Sequence, residues 1–311
     1  MRVLVIGAGA LGGYFGARLI EAGRDVTFLV RPRRAEQLQH GLVVKSPAGD
    51  ITLAKPPLVI ADRLDGPYDV VLLSCKAYDL TDAMAGFAPA VGPSTIILPL
   101  LNGMAHLDAL NARFGAARVF GGQCVISATL NDQGHILHLN EMHSLTFGEQ
   151  GGGLSERARA VAALLSGAKF NAAASEAILQ DMWEKWMFIA TGAGMTCLMR
   201  ATIGDIVAAR GAELAVTLLE ECARVAAAHG FAPRPAALER SRAMFTAAGS
   251  PITASMLRDI ERGARIEADQ IIGDLLRRGV ARGIALSLLR VVDVHLKAYE
   301  ARRRREQEGS L

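Results

Sequence analysis

The chain has 311 residues and a mass of 33.0 kDa, above the usual size of a single domain, so two domains sharing a cleft are expected. Hydrophobic residues make up 51% and charged residues 21%, which excludes a disordered chain and, with its Ala and Leu bias, favours helix over an all-β architecture. The formal charge of +3 depends on the run Arg302 to Arg305, without which the balance turns slightly acidic; cations ending a terminal helix complement its macrodipole, so no nucleic-acid or lipid partner is inferred.

Residues 2–6 (RVLVI) are a short β-branched run, followed by GAGALGG and a helical pattern through Tyr14, Phe15, Leu19 and Ile20 to Gly23. Residues 25–30 predict a second strand ending in RPRR, with a short helix over 35–40. Residues 68–74 and 94–98 are apolar runs of the kind that make buried parallel strands. Strands spaced by helices imply a doubly wound α/β sheet. After Phe114, residues 117–130, 136–139 and 144–148 predict further strands, expected to extend the same sheet in a parallel or antiparallel sense. A helix over 155–165 and an extended piece near 170–173 follow. From residue 177 the pattern is helical, with segments expected at 177–198, 203–229, 235–248, 252–282 and 286–306. The predicted boundary gives a dinucleotide-binding domain at 1–176 and a helical domain at 177–311.

Cys75, Cys124, Cys197 and Cys222 form no CxxC pair and no zinc or disulfide framework, which fits a reducing cytosol. The N-terminus lacks a signal-peptide pattern. The apolar run over 186–198 contains two glycines within too short a span to cross a bilayer, so a soluble cytoplasmic protein is expected. His106, His138 and His143 show no metal-ligand spacing with nearby carboxylates, and no metal is expected.

Gly7, Gly9 and Gly12 form GxGxxG directly between a predicted strand and a predicted helix. The first glycine permits a tight turn, the second lets backbone approach a pyrophosphate, and the third lets helix and strand pack closely. With Ala8, Ala10 and Leu11 between them, these residues predict a dinucleotide cradle at a helix N-terminus. The end of the second strand offers Arg31, Arg33 and Arg34 and no acid before Glu36, which favours NADPH over NADH; Arg31 is the leading contact to the 2′-phosphate, with Arg33 and Arg34 expected to be solvated.

A reductase also needs a proton donor at the carbonyl that gathers charge and groups that orient the substrate. Lys76, Asn102, Lys185, Ser255 and Glu267 are candidates, yet spacing alone does not single them out. Lys185 is also readable as an ion-pair lysine beside Glu184, Lys76 as a solvated loop lysine, Asn102 as a turn residue before Gly103, and Glu267 as a partner of nearby arginines.

The segments GAGALGG at 7–13, Arg31, SCKAYDL at 74–80, LLNGM at 100–104, MWEKW at 182–186 and SMLRDIERGARIEADQIIG at 255–273 together resemble the ketopantoate reductase (2-dehydropantoate 2-reductase) family over nearly the whole chain. The resemblance implies a Rossmann-type N-terminal domain and an all-helical C-terminal domain like that of 6-phosphogluconate dehydrogenase. It implies NADPH-dependent reduction of ketopantoate, within pantothenate and coenzyme A biosynthesis. It places Lys76 and Asn102 at the cofactor and the cleft, with Asn102 also at the substrate. Lys185 becomes the general acid, Glu267 holds the substrate hydroxyl and Ser255 its carboxylate.

Two features complicate that assignment. Where the family pattern carries asparagines after the catalytic lysine, this chain has Ile189, Ala193 and Ile203, so another 2-oxo or 3-oxo acid is an alternative substrate. Thr191, Thr196 or Thr202 are candidates to compensate. Ser255 and Glu267 are also twelve residues apart, about 18 Å along a continuous helix, unless the helix breaks near Gly263. A noncatalytic NADPH sensor is the alternative of another class, and the apolar helical half is the candidate surface for a homodimer.

Overall fold

The computed structural model describes residues 1–308, so the last three residues of the predicted helical domain lie outside it. The chain divides into two compact units: Met1–Leu101 with His106–Leu179, and Asn102–Ala105 with the chain from Gln180 onward.

The strands of the first unit are β1 (Arg2–Ile6), β2 (Asp25–Leu29), β3 (Leu42–Lys45), β4 (Ile51–Leu53), β5 (Leu58–Val59), β6 (Tyr68–Leu73), β7 (Val91–Pro99), β8 (Phe120–Leu130), β9 (Ile136–Glu149) and β10 (Asn171–Ala174). Its helices are α1 (Ala10–Glu21), α2 (Pro32–Leu38), α3 (Leu80–Phe87), α4 (Ala105–Phe114), which begins at the unit boundary, and α5 (Glu156–Leu165). The predicted parallel sheet forms in the order β5-β2-β1-β6-β7, every pairing parallel. Val3 to Ile6 and Val70 to Leu73 are buried throughout, as strands covered on both faces must be.

The strands after Phe114 do not extend that sheet. With β3 and β4 they build a second sheet in the order β10-β9-β3-β4, with β8 antiparallel to β9, and among the described residues an isolated bridge between Ile97 and Val119 joins the two. Strand β9 also runs unbroken through 140–143, where a bulge takes up the slack: Ile126 faces His143 but Ala128 faces His138. Helix α1 packs on β1 and β2 and also on β3, β4, β8 and β9, so the helix that starts at the glycine motif is central to this unit. Tyr14, Phe15 and Arg18 are fully buried in it. Arg18 donates there through its terminal nitrogens to Gly49 O at 2.7 Å and Glu21 at 3.0 Å, while its buried Nε has no hydrogen-bond partner among the described residues.

The second unit is helical. Helix α6 (Ile178–Met199) enters it at Gln180, followed by α7 (Ile203–Ala208), α8 (Ala212–Ala228), α9 (Pro235–Phe245), α10 (Ser255–Glu261), a π-turn (Asp269–Gly273), α11 (Asp274–Ala281) and α12 (Ser287–Glu308). Two long predicted helices are broken. The 203–229 segment stops after Ala208, where Arg210 adopts φ 62° and the Gly211 amide reaches back to Ile206 O. The 252–282 segment stops at Glu261, where Gly263 takes φ 65° and the Ala264 amide bonds Asp259 O at 2.9 Å. Within this unit, Gly192 and Gly194 let Phe245, Leu218 and Val292 close onto the backbone of α6. Among the described residues no helix is long and apolar enough to cross a membrane.

Candidate active site

The glycine turn of the expected dinucleotide cradle belongs to the first unit. Gly7 sits at φ +89°, strained for any side-chain-bearing residue, and its amide donates to Leu29 O, tying the turn to β2. A Cβ built on Gly9 meets nothing within 4 Å, leaving the backbone open to a ligand. One built on Gly12 falls 2.2 Å from Gly7 O and 2.2 Å from Ser74 Oγ. The three glycines therefore meet the separate demands of turn, approach and packing. No side chain caps α1, whose N-cap is Gly9, so its first-turn amides suit an anion; these residues fit the pyrophosphate of a dinucleotide. Gly12→Ala is expected to cost about 1–3 kcal/mol of stability and to lose dinucleotide affinity, measured by thermal melting and nucleotide titration, because the clash is with backbone.

The three arginines after β2 are not alike. Arg31, the N-cap of α2, is exposed and pairs with Asp79 at 2.9 Å, with Asp82 at 4.0 Å. Asp79 holds its guanidinium above the ordinary arginine value. Arg34 is not solvated, contrary to expectation. It donates through Nε and Nη2 to Ala8 O at 3.1 and 2.9 Å and through Nη2 to Gly134 O at 3.2 Å, binding the glycine turn to the β8–β9 hairpin; burial pushes its basicity down. Arg33 is exposed. Lys76 lies just past β6, exposed at the carboxyl end of the sheet, at the start of a 3-10 turn over Ala77–Asp79. Open parallel sheets take their ligands at that end.

The second unit draws three predicted residues together through their neighbours. Gly103, at φ +78°, packs so closely on the π-turn that a Cβ would lie 2.7 Å from Gln270 O, and Gln270 Nε2 donates to Asn102 O at 2.9 Å. From α6, Trp186 Nε1 donates to Ile271 O at 2.8 Å. Asn102, Lys185 beside Trp186, and Glu267 just ahead of the π-turn are thereby held on one piece of structure, with Lys185 and Glu267 both half-buried. A π-turn at this point fits the frequent use of such turns at functional sites.

Ser255 is not held by those contacts. It is exposed at the first turn of α10, whose preceding amide, Ala254 N, donates to Thr196 Oγ1 at 3.3 Å, about 16 Å of helical rise from Lys185. The break at Gly263 removes the continuous-helix constraint between Ser255 and Glu267. Glu184 accepts from Gln180 and from the backbone and side chain of Arg234.

The candidate compensating hydroxyls are engaged elsewhere. Thr191 donates to Met187 O and Thr196 to Gly192 O within α6, while Thr202 forms a capping box with Asp205. Ala193 and Ile203 are buried at 2% and 0% exposure, so neither side chain offers a surface to a ligand. Among the described residues no group of His, Cys, Asp and Glu has metal-binding geometry; His138 and His143 stack at 5.2 Å, and His143 accepts or donates to Tyr14 OH at 2.6 Å. Residues to which the sequence gave no role are Trp186 and Gln270. Both lie within segments quoted for the resemblance, MWEKW at 182–186 and the run over 255–273, but neither residue type by itself marks a role.

A family model described as ketopantoate reductase PanE/ApbA matches residues 3–152, and the model of its C-terminal domain matches residues 177–300. An uncharacterized oxidoreductase of Bacillus subtilis, YkpB, is 39% identical over 303 residues, covering 97% of this chain and 99% of that protein. The crystal structure of 2-dehydropantoate 2-reductase from Methylococcus capsulatus superposes with a TM-score of 0.86 at 28% identity, covering 97% and 98% of the two chains. A ternary structure of D-mandelate dehydrogenase with NADH and anilino(oxo)acetate shares the fold, with a TM-score of 0.87 at 22% identity over 98% and 100%. The chain belongs to the ketopantoate reductase family, a family of oxidoreductases.

Proposed function

Proceeding from that membership, we propose that this protein reduces the C2 carbonyl of a small 2-oxo acid with NADPH, ketopantoate being the leading substrate. The observation that supports the reading is the pair of bonds from Gln270 to Asn102 O and from Trp186 to Ile271 O, which tie to one another the segments that carry Asn102, Lys185 and Glu267. The bound dihydronicotinamide supplies a hydride to the carbonyl carbon. The chain supplies the proton: Lys185, as the ammonium, protonates the oxygen on which negative charge develops and is recharged from solvent. Glu267 accepts a hydrogen bond from the substrate hydroxyl, Ser255 donates to its carboxylate, and Asn102 borders both cofactor and substrate. Gly7 to Gly12 hold the pyrophosphate, and Arg31 and Lys76 hold the phosphate-bearing ribose. Cys75, Cys124, Cys197 and Cys222 lie in no CxxC pair, which fits a reducing compartment, the cytoplasm.

The apolar replacements favour a second substrate reading within the same chemistry. Of the three replacements Ile189 is the half-buried one, and with the neighbouring threonines bonded to their own backbone no amide or hydroxyl there rewards a hydroxylated side chain. A 2-oxo acid with a plain branched side chain is then preferred. NADPH oxidation followed by absorbance, with ketopantoate beside branched and aromatic 2-oxo acids, tests both. Highest kcat/KM for ketopantoate supports the first reading, and at least tenfold preference for an unhydroxylated acid supports the second, on the scale of about 1.4 kcal/mol per factor of ten. Tight NADPH binding with no turnover of any acid would leave a nucleotide sensor.

A further inference from the structure

Asp79 occupies the N-cap position of α3, where an aspartate normally accepts from the helix's own first-turn amides, yet its side chain makes no such bond. Its Oδ1 instead takes Arg31 Nη2 at 2.9 Å, across 48 residues of sequence, and Asp82 Oδ2 stands 4.0 Å from the same nitrogen. The arginine positioned to read a 2′-phosphate thus already holds a carboxylate, three residues after Lys76. A phosphate dianion arriving there must displace or share that partner and meets its negative charge at close range. A ribose carrying a free 2′-hydroxyl meets no such conflict, and a carboxylate is the acceptor that a 2′-hydroxyl uses in NAD-dependent relatives of this fold class.

We propose that Asp79 is a specificity-determining residue for the coenzyme: its pairing with Arg31 restrains the preference for NADPH and leaves NADH a usable substrate. The inference rests on the dinucleotide reading of the glycine turn but not on which acid is reduced or on the role of Lys185.

Calorimetric titration of the full chain with 2′-phospho-ADP-ribose and with ADP-ribose provides the test, since neither ligand needs turnover. In the wild type both are expected to bind, their dissociation constants within about tenfold of each other. Asp79→Asn keeps the shape and removes the charge, and is expected to shift the ratio at least about threefold toward the 2′-phosphorylated ligand, a size set by a half-exposed ion pair and the removed repulsion. Asp82→Asn, at the longer distance, should shift it by less. Arg31→Ala should abolish the effect of Asp79→Asn in the double variant, which separates a charge effect from loosening of α3. A ratio that stays within twofold of the wild type in Asp79→Asn overturns the proposal while leaving the dinucleotide site intact. Absence of binding by either ligand to the wild type overturns both.

Discussion

Replacing Lys185 by alanine is expected to lower kcat by about 10²- to 10⁴-fold, the usual contribution of a positioned general acid, while the NADPH dissociation constant stays within about twofold. The two readouts are separable because Lys185 lies in the helical unit and the glycine turn in the other. The flanking residues of α6 are committed: Glu184 to Arg234 and Gln180, and Trp186 to Ile271 O. The variant should therefore keep its fold, and its melting temperature is the control. Added methylamine, entering the space left by the side chain, is expected to restore part of the rate, an outcome that a merely structural lysine does not produce. A loss of NADPH affinity equal to the loss of kcat would remove Lys185 from the proton-transfer role.

Strands β1, β2, β6 and β7 of the parallel sheet were legible because each holds an apolar run, whereas the two-residue β5 was not, and the glycine motif was legible because its three positions do distinct mechanical work at a strand-to-helix junction. The second sheet was not. Strands β3, β4 and β10 have four residues or fewer, too short to show an alternation, and β3 joins β9 across some ninety residues of sequence. Strands β8 and β9 were visible as strands, but nothing local says which sheet receives them. The helix breaks were half legible. Gly263 and Gly211 carry the C-terminal signal, yet helical periodicity resumes within a few residues and masks the stop.

The candidate site divides in the same way. Gly7, Gly9, Gly12 and Arg31 follow from local patterns, since a turn and a strand end are local objects. Lys185 and Glu267 are ordinary residue types on a helix and beside one, and only the resemblance singled them out. Their segments meet through contacts such as Gln270 to Asn102, which spans 168 residues, so neither segment alone shows the pairing. Arg34 is the instructive error. Among three arginines in four positions, it alone is turned inward, because the carbonyls of Ala8 and Gly134 need a donor there.

Glu184→Ala is expected to lower stability near neutral pH by about 2–4 kcal/mol, the cost of removing a buried carboxylate that holds several donors. Glu184 is 8% exposed and accepts from Arg234 N and Nε, each at 2.8 Å, from Arg234 Nη2 at 2.6 Å and from Gln180 Nε2 at 3.0 Å. Arg234 also pairs with Asp181, so one guanidinium joins α6 to the start of α9 through two carboxylates. Burial by itself pushes the Glu184 carboxyl up, but the Arg234 and Gln180 donors outweigh it and hold the group below its usual value of 4.5. A carboxylate depressed in the folded state contributes stability that is fully present above the unfolded value and is lost as pH falls through the folded one. The difference between wild type and variant should accordingly be largest at neutral pH and shrink as pH drops below about 4.5. Both tryptophans of the chain, Trp183 and Trp186, flank this glutamate on α6, so their fluorescence during urea unfolding reports the element concerned. A difference of the same size at neutral and acid pH would show that Glu184 acts through its bulk, with no contribution from its charge.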